Sequence, residues 1–459
     1  DLFHRHAAQI SPLLHRRELF SYVENFRLYD MVDSFGNVQE DVFVYSNRMG
    51  DKKAVFVFHN RYAETSGRIY HSAAHKVNDS DQLQSESIAN ALQVPNDSGC
   101  YVSALDQMTG LTYLYSAKEI HEQGLAFHLH AYECRVLVDF AIHFADGDHP
   151  FDKLHQKMAG FGVHDLMQAL HALELEPIHQ AFREIAHPAY LSYLRDFEIG
   201  DEDSSILIQL REEALLKLRN LMAGINAVSG TADTSKEKVI AKQVKSAFWA
   251  ALNVPNFTED DLPGMKTFMR AREIINRGFA EEPERQLVIY LLPFVQYLGL
   301  LVAEEDFEAA SVVLFDKWRL GDIVTECLGQ MGIGPDARQK LLNALTMSIV
   351  TQCWYVRSTQ LKTYELFVKL FSIEQVQRFL GFNLFEGIIW FNEEAMQELE
   401  WWMITLAFYH ALSGGDFTAT LVHEAVIGSY EVTQQLREAR LQAGYQVDKL
   451  VKFLNPEKK

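Results

Sequence analysis

Cysteine is scarce in this chain. Its 459 residues include four, Cys100, Cys134, Cys327 and Cys353, and no two form a Cys-x-x-Cys pair. That speaks against a thiolate metal cage or a disulfide framework and suits a reducing, cytoplasmic setting. Cys100 and Cys134 share the β-rich part of the chain and could still be bridged. Positive charge is also short, with 42 Lys and Arg against 62 Asp and Glu, a formal net charge of −20. So few cations cannot neutralise a run of phosphates, so nucleic acid and anionic membrane surfaces are not expected partners. The deficit is spread out: residues 1–149 hold 20 acids and 12 bases, and the remainder 42 and 30, so neither part is an acidic tail.

Long apolar runs are missing too. The nearest to a membrane span, Leu287–Ala303, is short, contains Pro293 and Gln296, and has acids on both sides. It reads as a buried helix. No Gly-x-x-x-x-Gly-Lys-Ser/Thr or Gly-x-Ser-x-Gly motif occurs. Gly329–Gly334 resembles a dinucleotide loop only faintly, because no strand precedes it. Tryptophan is absent from the first 248 residues; all six lie between Trp249 and Trp402. The β-rich part therefore lacks the side chain that sugar-binding sandwiches use for stacking. Tyr62 and Tyr113 are the stacking candidates in its place, with Tyr70 and Tyr115 beside them. No secretory signal is visible, and a first residue of Asp1 leads us to expect a processed start or a fragment boundary.

What is present divides into two unlike parts. Ser11-Pro12 reads as a helix start, with the serine as N-cap and the proline in the first turn, followed by an apolar face of Leu13, Leu14, Leu19, Phe20, Val23 and Phe26. Residues 40–144 then read as β-structure. Asp41–Arg48 and Ala54–His59 form strands around a Met49–Lys52 turn with Gly50-Asp51 at its tip. Arg68–Val77 is another strand candidate, Asn78–Asp81 a break, and Leu83–Leu92 a short helix. Tyr101–Asp106 and Leu111–Tyr115 make a second hairpin. Ser116–Gln123 is a helical turn ended by Gly124, and Leu125–Phe144 gives strands bent at Ala131–Glu133. After Ala145–Pro150 a 3.6-residue period takes over. Helix-cap signals stand at Asp201–Ser205, Gly334–Asp336 and Ser413–Asp416, and one helix is read over 177–195. The expected fold is α+β and multidomain. A helical lead-in covers 1–36, a small antiparallel β-sandwich 37–145, and a large all-α helical domain 150–459, with a subdomain boundary near 229–235.

Candidate sites are few. Eleven of the 18 histidines precede residue 150. His128 and His130 share a strand face at a spacing metal sites use, but no third ligand follows nearby, so they read as sheet-surface side chains, as do His71 and His75. His164, His171, His179 and His187 recur regularly, but Pro177 and Pro188 interrupt the helix that would align them. No metal or cofactor is expected. Glu394 and Glu398, at i and i+4 on one helix, are the candidates for acid–base chemistry. The competing reading is an amphipathic helix capped by Asn392 with acids in its first turns, and Trp390, Trp401 and Trp402 read as core.

Leu13–Phe20, Val23–Asp30, Asn37–Arg48, Ala54–Thr65 and Phe385–Glu394 with Trp401-Trp402 resemble the region after the catalytic barrel in long bacterial α-amylase-family glycoside hydrolases. The resemblance spans the chain and is clearest in residues 13–65 and 385–402. It implies a retaining (β/α)8 barrel upstream, packing on residues 1–60, with residues 1–30 as its closing helix. No catalytic residue carries over, because the barrel that would hold them lies outside this chain. The expectation is a non-catalytic C-terminal portion with a structural or interaction role in α-glucan metabolism. Two others stand beside it. One is a freestanding helical scaffold binding protein partners, or its own copies, through the helical domain. The other is an enzyme whose site lies near Glu394 and Glu398.

Overall fold

The computed structural model describes residues 6–21, 23–76, 82–147, 149–197, 204–256, 266–414 and 419–455. The break expected at Asn78–Asp81, the cap residues Asp201–Asp203 and the loop residues Gly415-Asp416 lie outside them. The chain is α+β, an antiparallel sheet region followed by a large helical part. It divides into two compact units, Asp1–Glu174 and Leu175–Lys459.

Among the described residues unit 1 holds ten strands: β1 (Arg27–Tyr29), β2 (Val42–Met49), β3 (Lys52–His59), β4 (Thr65–Ile69), β5 (His75–Lys76), β6 (Leu83–Gln84), β7 (Cys100–Asp106), β8 (Leu111–Ser116), β9 (Leu125–Leu129) and β10 (Cys134–Phe144). Six form one antiparallel sheet in the order β1-β2-β3-β10-β7-β8, and β4–β9 and β5–β6 are two-stranded ribbons. Strand alternation sorts the side chains between two faces. Val44 lies opposite Val57, and Phe43 opposite Phe58. The first face carries Val42, Val44, Val55 and Val57. It packs against Ile69, Leu125, Phe127 and Leu129 of the β4–β9 ribbon and against the helices Ile88–Ala91 and Ala117–Gln123. The second face carries Ala54, Val136 and Val138, covered by Leu13, Leu19 and Phe20 of the lead-in helices Ser11–Leu14 and Arg17–Ser21.

Glycine is required where the ribbon starts. Gly124 has φ +73°, and a Cβ there would fall 1.9 Å from the carbonyl oxygen of Ile69. It ends the Ala117–Gln123 helix and lets β9 lie against β4. Cys100 pairs with Phe144 and Cys134 with Phe58, so the two thiols sit at opposite ends of β10. All four cysteines are free.

Several expectations are corrected. Ser11 is not an N-cap, because a π-helical turn over His6–Ile10 runs directly into its helix. Arg68–Val77 is not one strand; it gives the end of β4 and then β5. Leu83–Leu92 opens with β6 before its helix forms at Ile88. The helices do begin just after Pro150, at Phe151, but the compact units divide later, after Glu174. Helices Phe151–Met158 and Leu166–Glu174 set Phe151, Leu154, Leu166 and Leu170 around Leu114 of β8, and they belong to unit 1. A 3.6-residue period reveals an apolar stripe but not the core that the stripe faces.

Unit 2 packs its helices around one continuous core that includes Trp354, Trp402, Tyr409 and Phe367. The helix read over 177–195 is two, Glu176–Ile185 and Pro188–Asp196. The His187 ring accepts the amide of Ala189 at the second start. Pro188 cannot donate to the preceding turn, so the chain restarts there. Leu287–Ala303 is the buried helix Arg285–Val295 and a 3-10 turn, Leu298–Leu301. Among the described residues no helix is long and apolar enough to cross a membrane. A small hairpin, β11 (Asn383–Phe385) and β12 (Ile388–Trp390), interrupts the helices, turning on Glu386 and Gly387 at positive φ.

Candidate functional site

An open groove of about 1460 Å³ lies in unit 1. It runs where β8 meets the β4–β9 ribbon, and Phe161-Gly162 closes one side. Three features of the sequence build it. Alternation along β8 turns Leu111, Tyr113 and Tyr115 toward the ribbon and Leu114 away from it. The ribbon's register sets Ser66 opposite His128 and Gly67 opposite Phe127. Gly162 lets the chain approach β8, since a Cβ there would fall 2.7 Å from Cβ of Leu111 and 2.9 Å from the ring of Tyr113.

Arg135 in β10 organises the polar wall. Its Nη1 donates to Oδ2 of Asp106 at 2.7 Å and to the hydroxyl of Tyr113 at 2.8 Å. Its Nε stands 2.9 Å from the carboxylate of Glu133. Asp106 is fully buried and also accepts the amides of Val136 and Met108 and the hydroxyl of Thr109. Burial opposes the charge of Arg135, but the bonds from Asp106 and Tyr113 outweigh it, and the guanidinium is held above its ordinary range. Burial likewise pushes the Tyr115 phenol upward.

Of the stacking candidates, Tyr113 lies in the groove wall with much of its surface engaged. Tyr115 lies beside it at 6.5 Å between ring centroids, and the Arg135 guanidinium lies 5.2 Å from its own centroid. Tyr70, also in the wall, donates its hydroxyl to the carbonyl of His121. Tyr62 is 85% exposed on the β3–β4 loop, with the ring of Tyr132 6.3 Å away and 58% exposed. Tyr132 was not anticipated from the sequence. It sits at φ +54° in the bend between β9 and β10, flanked by the groove residues His130 and Glu133.

Glu394 and Glu398 line a second pocket, of about 770 Å³, in unit 2, together with Trp401. The Asn392 side chain accepts the amide of Ala395, so the capped-helix reading of this segment holds. Glu394 is exposed in the first turn, whereas Glu398 is buried between cations, with Nζ of Lys340 at 3.0 Å and Nε of Arg285 at 3.6 Å. Arg285 also lies 4.6 Å from the ring centroid of Trp401. Glu400, which the sequence did not single out, is the unusual acid of this pocket. Burial pushes its carboxyl up to about 7 against the pull of Arg437, while Nε of Arg440 donates to it at 2.9 Å. Trp401 and Trp402 are buried in the core.

The helical histidines do not converge. His179 is buried against the carbonyl of Trp318, His187 caps a helix, and His171 pairs with Glu174. No protein-family model matches the chain, and no curated protein or solved structure is similar to it.

Proposed function

We propose that this chain is the non-catalytic C-terminal portion of an α-amylase-family protein, and that unit 1 holds an α-glucan chain along its groove. The observation that carries this reading is the exposed Tyr62–Tyr132 pair beside a groove walled by Arg135, Glu133 and further tyrosines. Sugars present apolar ring faces and a rim of hydroxyls, so aromatic planes next to fixed polar groups suit them. The upstream barrel would seat on the second sheet face near β1. Leu28 and Phe43 share that face and are 52% and 55% exposed, and nearby Val23 is 80% exposed. Apolar exposure of this kind supports a missing contact. The free thiols support a reducing, cytoplasmic setting.

Titration of the chain with a maltooligosaccharide should give saturable binding without hydrolysis, weakened severalfold by Tyr62→Ala. An absence of binding would remove the groove from the account, and a start codon at residue 1 of the gene would remove the barrel. A second reading, an acid–base site in the pocket of unit 2, is favoured by the raised Glu400 carboxyl. Glucan hydrolysis by the chain, abolished by Glu394→Gln, would put that reading first.

A further inference from the structure

Two histidines on one strand are not a metal site by themselves. The structure adds the third donor that the sequence did not reveal. Glu64, on the loop joining β3 to β4, stands beside His128 and His130 at the end of β9, and ligand-capable atoms of the three lie within 4.8 Å of one another. The Glu64 carboxylate is 3.1 Å from Nδ1 of His130. The two imidazoles meet edge to face with centroids 5.0 Å apart.

We propose that Glu64, His128 and His130 bind a divalent transition-metal ion, zinc(II) by their chemistry. Two imidazoles and one carboxylate are a zinc donor set, whereas calcium and magnesium favour oxygen ligands throughout. A tetrahedral ion with bonds of about 2.0–2.1 Å holds its ligands about 3.3 Å apart. All three side chains are exposed, so rotation about their own bonds can close the set to that spacing. Ser66 Oγ, opposite His128 in the ribbon, is 2.8 Å from Nδ1 of that ring. This contact orients the imidazole and leaves Nε2 for the ion, the arrangement in which a partner at one ring nitrogen steers the other. Three protein ligands leave a fourth position for water or an incoming group. Both histidines line the groove, so that position is reachable from it. The site stands apart from the glucan reading, since Tyr62 and Tyr132 contribute no ligand.

The test is calorimetric titration of the chelator-treated, dialysed chain with zinc chloride, with cobalt(II) absorption as a second readout. One equivalent should bind, and cobalt should give visible bands of a nitrogen- and oxygen-ligated ion. His128→Ala and His130→Ala should each weaken binding by at least tenfold, and Glu64→Gln by about tenfold. Because the three side chains are exposed, the variants should keep the parent's circular dichroism. His71→Ala, outside the cluster, should bind as the parent does. Absence of stoichiometric uptake, unchanged affinity in the His128→Ala His130→Ala double variant, or equal affinity for calcium would overturn the proposal. Maltooligosaccharide titration of the metal-free chain reports on the glucan reading separately, so either can fail without the other.

Discussion

The two units treat their polar side chains in opposite ways. In unit 2 the buried carboxylates are tied to cations: Glu398 to Lys340 and Arg285, Glu400 to Arg440, and Glu308 to Arg357. In unit 1 one buried pair, Asp106–Arg135, shapes the groove, while Glu64, His128, His130, Tyr62 and Tyr132 stand in solvent beside it. Paired charges inside a helical core serve packing and register, since their coordination is already filled. Side chains left exposed around a concavity keep their hydrogen-bonding and ligating capacity for something else. The acidic stretch around Glu394–Glu400 thus has its buried members paired with cations, whereas the histidines at the end of β9 are exposed.

This contrast can be broken experimentally. All six tryptophans lie in unit 2, so tryptophan fluorescence reports on that unit. The largest effect is expected from Glu398→Ala, which removes the buried carboxylate shared by Arg285 and Lys340 and leaves both cations the more exposed Glu282 alone. Loss of one partner from a buried pair costs about 3–5 kcal/mol, visible as a lower denaturation midpoint by fluorescence. A change below about 1 kcal/mol would mean that these charges are not buried in the sense argued.

Asp106→Ala should cost about 2–3 kcal/mol, because four donors lose one charged acceptor. Hydrogen exchange in β7 and β10 would show it first, and maltooligosaccharide binding should fall as Arg135 is released. Unchanged exchange would detach the groove from its proposed anchor.

The pH dependence sharpens the comparison from the other side. The Glu400 carboxyl binds its proton more tightly when folded, at about 7 against an ordinary 4.5. The stabilisation from that protonated form is complete below about pH 4.5 and is lost as pH rises toward 7. Glu400→Gln should flatten the stability of unit 2 across this window. If the slope persists in the variant, its source is another group.

The smallest effect is expected at the surface of unit 1. Arg16 and Asp139 form a bidentate pair with both side chains at least a third exposed. Arg16→Ala should cost less than about 1 kcal/mol, and less still in high salt. A larger loss would show the lead-in helices to depend on charge more than on the packing of Leu19.

Much of the fold was legible because its determinants are local. The β2–β3 and β7–β8 hairpins follow from alternating apolar residues around short turns, and Gly124 marks the end of its helix as expected. Pro188 announced a break in the helix read over 177–195 that the periodicity alone ran through. The β11–β12 hairpin was hidden because Leu384–Trp390 is as apolar as the helices around it, and only Gly387 hinted at a turn. Of the candidate site residues, Tyr62 was visible as an aromatic in a polar loop. Tyr132 could have been found from the bend expected at Ala131–Glu133, where an aromatic between strands has no core to enter.

The sequence by itself determined the α+β division, most helices and the main strands, because period, caps and turn residues act over a few positions of chain. Only the tertiary structure decided which core each apolar stripe joins, as with the helices at Phe151 and Leu166. It alone brought Glu64 to His128 and His130, 64 and 66 positions away, through the pairing of β4 with β9. It also set Asp106 against Arg135, and buried Glu400 enough to raise its carboxyl. Contacts between residues so far apart depend on strand order and helix packing, which no local pattern encodes.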